Sequence, residues 1–175
     1  MAWKKRTAAL AVPLSALALL TACTPTGGTA AVVDKVRISE SDITRYAEGC
    51  ASVTGANGIA SETAASLRST VVSWSVQELL VQKVAAMHHV TIDPAARDAA
   101  FSSTPVGKAL ATNADCREAA VGAIDLSLLA QQLDPATVIR DAQTLNLQLN
   151  PRYGSWDYTS MTASGSGSLS QPVTG

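Results

Sequence analysis

Three cysteines and two histidines carry most of the reactive side-chain chemistry in this chain of 175 residues. Cys23 closes the tetrapeptide Leu20-Thr21-Ala22-Cys23. Ahead of it, Lys4, Lys5 and Arg6 form a positive stretch, and an Ala/Leu-rich run broken by Pro13 follows. That order of charge, apolar run and small residues before a cysteine has the form of a bacterial lipoprotein signal. In such signals the cysteine thiol receives diacylglycerol and becomes the first mature residue. The apolar run falls short of the roughly 20 residues that a spanning helix needs. The plainer reading of these residues is an ordinary secretory leader with an incidental cysteine.

Cys50 and Cys116 remain as an even pair. Outside the cytoplasm two such thiols usually oxidise to a disulfide. Closing that loop would add about 4 kcal/mol of stability in the chain-entropy account. Two separately buried thiols are the alternative. His88 and His89 are adjacent, so on a helix they diverge and cannot chelate one metal as an i, i+4 pair would. The sequence shows no metal-ligand spacing, nucleophile elbow, phosphate loop or dinucleotide fingerprint. We therefore expect no catalytic residues, no metal and no cofactor.

The segment 150–157, Asn150-Pro151-Arg152-Tyr153-Gly154-Ser155-Trp156-Asp157, gathers an arginine and two of the scarce aromatics. Arg152, Tyr153 and Trp156 are the candidate residues for peptide or partner binding, because aromatics and arginine dominate binding hot spots. The plainer reading has Tyr153 and Trp156 covering the core edge while Arg152 pairs with an acid, Glu40 or Asp42.

These residues need a scaffold. The chain is 47% hydrophobic, 15% charged and 4% aromatic, which suits one domain with an alanine-rich interior. The leader carries three of the 13 basic residues, so its removal leaves ten against 14 acidic ones, a net charge near −4. That balance gives no footprint for nucleic acid. We expect a signal peptide over residues 1–22, a tether over 23–29, a folded domain over 30–158 and a disordered Ser/Gly-rich tail over 159–175. The fold class expected is mostly α, about five helices closed by a small two-stranded element built from the two ends of the domain.

The pattern supplies the elements. Val32 and Val33, then Val36 and Ile38, read as a short strand with a turn at Asp34-Lys35. Ser39 and Asp42 have the form of an N-cap with an acid at N3, and Ile43, Tyr46, Ala47 and Cys50 mark the helix they start. Val72, Val76, Leu79, Leu80, Val84 and Met87 recur at helical spacing, with Leu67, Val71 and Trp74 widening the apolar face. A helix apolar over so much of its surface is a central one. Asp93-Pro94 and Asp134-Pro135 are cap-and-proline starts. Residues 104–107 read as a loop. Residues 114–133 read as a helix with Ala120, Ile124, Leu128 and Gln131 on one side. Leu145, Leu147 and Leu149 alternate with polar residues as a half-buried strand.

Four stretches give a resemblance. Ala31-Val32-Val33-Asp34-Lys35-Val36-Arg37-Ile38-Ser39, Leu79-Leu80-Val81-Gln82-Lys83-Val84-Ala85, His89-Val90-Thr91-Ile92-Asp93 and the segment 150–157 resemble the SurA N-terminal-domain family of extracytoplasmic chaperones, in its short lipoprotein form. The family often has Asn-Gly in the first turn, where this chain has Asp34-Lys35. The resemblance implies a membrane-tethered, non-catalytic chaperone-like module, lipid-anchored on the extracytoplasmic side. Its partners would be unfolded or extended exported polypeptides. No parvulin-type isomerase domain follows in the chain, so isomerase activity is not expected. The alternative is a structural or assembly lipoprotein of the cell envelope that binds one folded partner.

Overall fold

The computed structural model describes residues 27–55 and 59–164. Cys23, the leader and residues 165–175 of the expected tail lie outside the described residues. The chain opens with β1 (Thr29–Val33) and β2 (Val36–Ser39), continues through α1 (Glu40–Val53), α2 (Ala64–Met87), α3 (Pro94–Ser102), α4 (Pro105–Leu110), α5 (Ala114–Gln132) and α6 (Pro135–Ala142), and closes with β3 (Leu147–Leu149), β4 (Ser155–Asp157) and β5 (Thr162–Ser164). The mostly helical class is as expected; the finer description changes in four places.

First, there is a sixth helix where a loop was expected. Thr104 caps α4 by accepting the Gly107 N–H, and Pro105 fills its first turn. This repeats the cap-and-proline start of α3 and α6. A helix this short has too few turns to display periodicity.

Second, the two ends of the domain build a three-stranded sheet of order β2-β1-β3, all antiparallel. The terminal strands do meet, since Val33 lies opposite Leu147 and Ala31 opposite Leu149. Leu145 is buried but precedes the strand, because its N–H still bonds the Ala142 carbonyl at the end of α6. In the β1–β2 turn the positive φ, 54°, falls on Asp34 and not on Lys35. Aspartate tolerates that region far better than most residues do.

Third, residues 159–164 are ordered into a second hairpin, β4–β5. Two side chains of α2 hold it: Gln77 Nε2 donates to the Met161 carbonyl at 2.8 Å, and Ser73 Oγ accepts the Ala163 N–H at 3.0 Å. The Met161 side chain is buried in the core. The bonds come from a distant helix, so local Ser/Gly/Thr composition does not reveal them.

Fourth, the buried face of α5 runs through Cys116, Ala119, Ala120, Gly122, Asp125 and Leu129, with Gln131 exposed. Ala120 is shared with the expected face, but Ile124 and Leu128 are only partly buried, because Gly122 and Asp125 do not read as core residues in the sequence.

α2 is the central helix, packed by α1, α5 and α6 and by β1 and β5. Val71, Val72, Val76, Leu80, Val81 and Val84 are buried along it. Each such side chain contributes about 1.5–3 kcal/mol by leaving water. The α2–α5 crossing is close. A Cβ on Gly122 would stand 1.9 Å from the Trp74 carbonyl oxygen, so only glycine fits there. Ser39 caps α1 by accepting the Asp42 N–H at 3.1 Å, as the sequence predicts.

Candidate functional site

The segment after β3 is placed by its backbone. Asn150 Nδ2 donates to the Thr29 carbonyl at 2.8 Å, and Asn150 Oδ1 accepts the Arg152 N–H at 3.1 Å. Pro151–Tyr153 then form one 3-10 turn. Gly154 follows at φ 84°, a conformation glycine adopts without penalty. The turn sends Tyr153 inward, where it is only 6% exposed.

Tyr153 meets Glu40, the first residue of α1. Its hydroxyl donates to Glu40 Oε2 at 2.8 Å and accepts from Arg68 Nη2 at 3.1 Å. Arg68, on α2, also donates to the same Glu40 oxygen at 2.5 Å and to Thr44 Oγ1 at 2.8 Å. Arg152 Nη1 stands 3.4 Å from Glu40 Oε1, which is buried without a hydrogen bond among the described residues. A carboxylate taken from water in this way is costly unless cations and donors replace its solvation. Two guanidinium groups and one phenol do so here. Burial raises the Tyr153 pKa, the bond to Glu40 adds to the rise, and Arg68 opposes it. Burial pulls the Arg68 pKa down, but Tyr153 and Glu40 outweigh it and the net shift is upward. Three elements of the fold, α1, α2 and the 3-10 turn, are tied at this one point.

Trp156 sits on β4, half-buried against the core. Its ring meets Tyr158 edge-on with centroids 6.5 Å apart, and its indole N–H is buried without a partner among the described residues. The three sequence candidates are thus brought to one edge but do not share a surface. Arg152 is exposed and paired with Glu40, Tyr153 is internal, and Trp156 covers the core. The geometry is that of the plainer reading. Of the two acids the sequence offers to Arg152, Glu40 and Asp42, it is Glu40 that pairs with it, and Arg68, 28 residues beyond Glu40, was not foreseen.

Cys50 and Cys116 are joined as a disulfide, with Cα atoms 4.6 Å apart, and both are buried. The bridge staples α1 to the start of α5 beside the Asn113 cap. Thiol exchange needs access to sulfur, so this buried bridge serves the fold. His88 Nε2 lies 2.6 Å from Asp141 Oδ2, clasping the end of α2 to α6, while His89 takes the positive-φ position beyond the helix. Arg140 and then His88 lower the Asp141 pKa. Among the described residues no group of three His, Cys, Asp or Glu could hold a metal ion. No described helix is long and apolar enough to cross a membrane.

A different surface emerges at β2. Val36, Arg37 and Ile38 of that strand, Asp42 and Tyr46 of α1, and Ser75, Glu78 and Leu79 of α2 line a groove. Among the described residues β2 is the outermost strand of its sheet, so one side of it meets no other strand. Val36 is 41% exposed, one of the large apolar side chains the chain leaves in water. Tyr46 donates its hydroxyl to Glu118 Oε1 at 2.6 Å and carries the Arg45 guanidinium over its ring at 4.4 Å. Burial and the bond to Glu118 push the Tyr46 pKa up to about 12. Glu78 is raised by burial first and then by the nearby charges of Asp125 and Glu118. Arg97, which opposes that rise, is committed to Asp125 through bonds of 2.7 and 2.6 Å. In the sequence these residues read only as helix faces and a strand. Neither a family model nor a curated protein nor a solved structure matches this chain.

Proposed function

We propose that the chain is a non-catalytic, lipid-anchored binding module that holds unfolded or extended exported polypeptides at the extracytoplasmic face of the membrane. Cys23 is the anchor. Only residues 24–28 separate Cys23 from β1, so the domain works close to the bilayer. The buried Cys50–Cys116 bridge suits an oxidising compartment. One observation carries the binding half of this reading: an unpaired sheet edge lies beside a groove lined by Val36, Ile38, Tyr46 and Leu79. Open edges are templates for an incoming strand, and proteins that do not use them usually block them.

The lipidated protein in liposomes should slow the aggregation of reduced lactalbumin in proportion to its amount, without ATP. Aggregation that proceeds unaltered at a molar excess of the protein would contradict the reading. Cys23→Ser should leave the chain as precursor or released from the membrane fraction. A mutant that stays mature and membrane-bound at the same size would contradict the anchor.

A further inference from the structure

We propose that the groove beside β2 takes an extended polypeptide strand, added to the open sheet edge and carrying a lysine or arginine side chain that Glu78 receives. The proposal rests on the polypeptide-binding reading above and names its ligand class.

The backbone argument comes from register. Asp34 N–H donates to the Asn146 carbonyl and Asn150 N–H to the Ala30 carbonyl, so the even-numbered residues of β1 turn their backbone groups to β3. Ala31 and Val33 therefore turn theirs to β2, where they face Ile38 and Val36. Arg37, opposite Val32, is left with its N–H and C=O pointing away from the sheet. These are the groups an added strand would bond.

The side-chain argument follows from alternation. Val36 and Ile38 share the inner face with Ala31 and Val33, while Arg37 lies on the outer face. An incoming residue opposite Arg37 would also face outward. Its two neighbours would point inward, over Tyr46, Leu79 and Glu78 of the groove. The ligand pattern is thus alternating, with inner positions that are apolar or basic.

Charge selects the basic member. Glu78 has no ion-pair partner among the described residues, and its one side-chain bond comes from Gln82 at 3.1 Å. Its raised pKa reflects burial and two neighbouring acids, a field that an arriving cation relieves. The groove's other acid, Asp42, is already bonded by Ser39 at 2.5 Å and paired with Arg45 at 3.4 Å. An acidic strand would bring a second carboxylate against Glu78 and be repelled.

The test uses the mature, oxidised chain and a labelled peptide Thr-Val-Thr-Lys-Thr-Val-Thr, with binding read by anisotropy. The lysine peptide should bind at least about tenfold more tightly than its glutamate counterpart, the low end of the coupling between close charge pairs. Glu78→Gln should erase that difference. Arg37→Pro removes an outward N–H without costing a ladder bond, as edge strands tolerate, and should abolish binding of both peptides. If that variant does not fold, the peptide N-methylated at alternate residues carries the same test on the unaltered protein and should not bind. Equal binding of the lysine and glutamate peptides, or binding that survives both backbone blocks, overturns the proposal. An Arg37 amide protected from exchange without peptide, together with a dimeric mass, also overturns it by making a second copy the occupant. Should the proposal fail while reduced lactalbumin is still held, the broader function stands. Loss of both removes the two together.

Discussion

The closing segment and the β2 edge both offer aromatic, apolar and charged side chains, and the fold treats them in opposite ways. In the segment, Tyr153 is turned inward and its hydroxyl is shared between Glu40 and Arg68. At the edge, Val36 is exposed and the outward backbone groups of Arg37 meet no strand among the described residues. The segment carries more of the residues that dominate binding hot spots, yet Tyr153 and Arg152 are committed to Glu40 and the Trp156 ring is packed against the core. Composition thus marks which residues could bind, and the contacts those residues make within the fold decide which are free to. A cluster of arginine and aromatics at the end of a domain is as well suited to locking it shut as to recognition.

The contrast breaks most visibly at Glu40. Arg68→Ala removes the closest cation from a buried carboxylate and should cost about 3 kcal/mol or more in urea unfolding, as loss of one partner of a buried pair does. Trp156→Ala should cost about 2 kcal/mol, below the range for a fully buried tryptophan because the ring is half-exposed. The folded variant should still protect lactalbumin as well, molecule for molecule, as the parent does. Tyr153→Phe deletes a hydroxyl that joins an acid to an arginine, and about 1.5 kcal/mol should be lost, the low end for hydrogen bonds to charged groups. At the edge the effects on stability are smaller. Val36→Lys should change unfolding by no more than about 0.5 kcal/mol, since the side chain is substantially exposed already.

Glu78 sharpens the comparison through pH. Its pKa is raised in the folded protein, so the folded state binds the proton more readily than the unfolded one. Ionised Glu78 therefore costs stability at neutral pH. That cost disappears as pH falls through the raised folded value toward the ordinary glutamate range. Glu78→Gln should be slightly more stable than the parent at neutral pH, and the two thermal melts should converge in acid. A neutral-pH loss of stability in Glu78→Gln would show that the carboxylate supports the fold.

Much of the helical layer was legible because its signals are local. Ser39 with Asp42, Asp93-Pro94 and Asp134-Pro135 each start a helix through chemistry held within four residues. The same signal stood at Thr104-Pro105, but six residues were too few to show a face. β5 was illegible because Ser73 and Gln77, far off on α2, provide the bonds that order it. Arg68 was hidden in the same way: nothing near it in sequence shows that it reaches Glu40. The groove had no local signal either. Tyr46 and Leu79 read as ordinary helix-face residues, and only the strand order leaves β2 outermost beside them.

The division of labour between these two regions can be tested on the intact chain by hydrogen exchange. Amide exchange is followed with and without a saturating amount of the lysine-bearing peptide. Protection should appear at Arg37 and its neighbours in β2, while the amides of Arg152, Tyr153 and Trp156 exchange as before. Protection confined to Arg152, Tyr153 and Trp156, with β2 unchanged, would contradict the account and restore the closing segment as the binding surface.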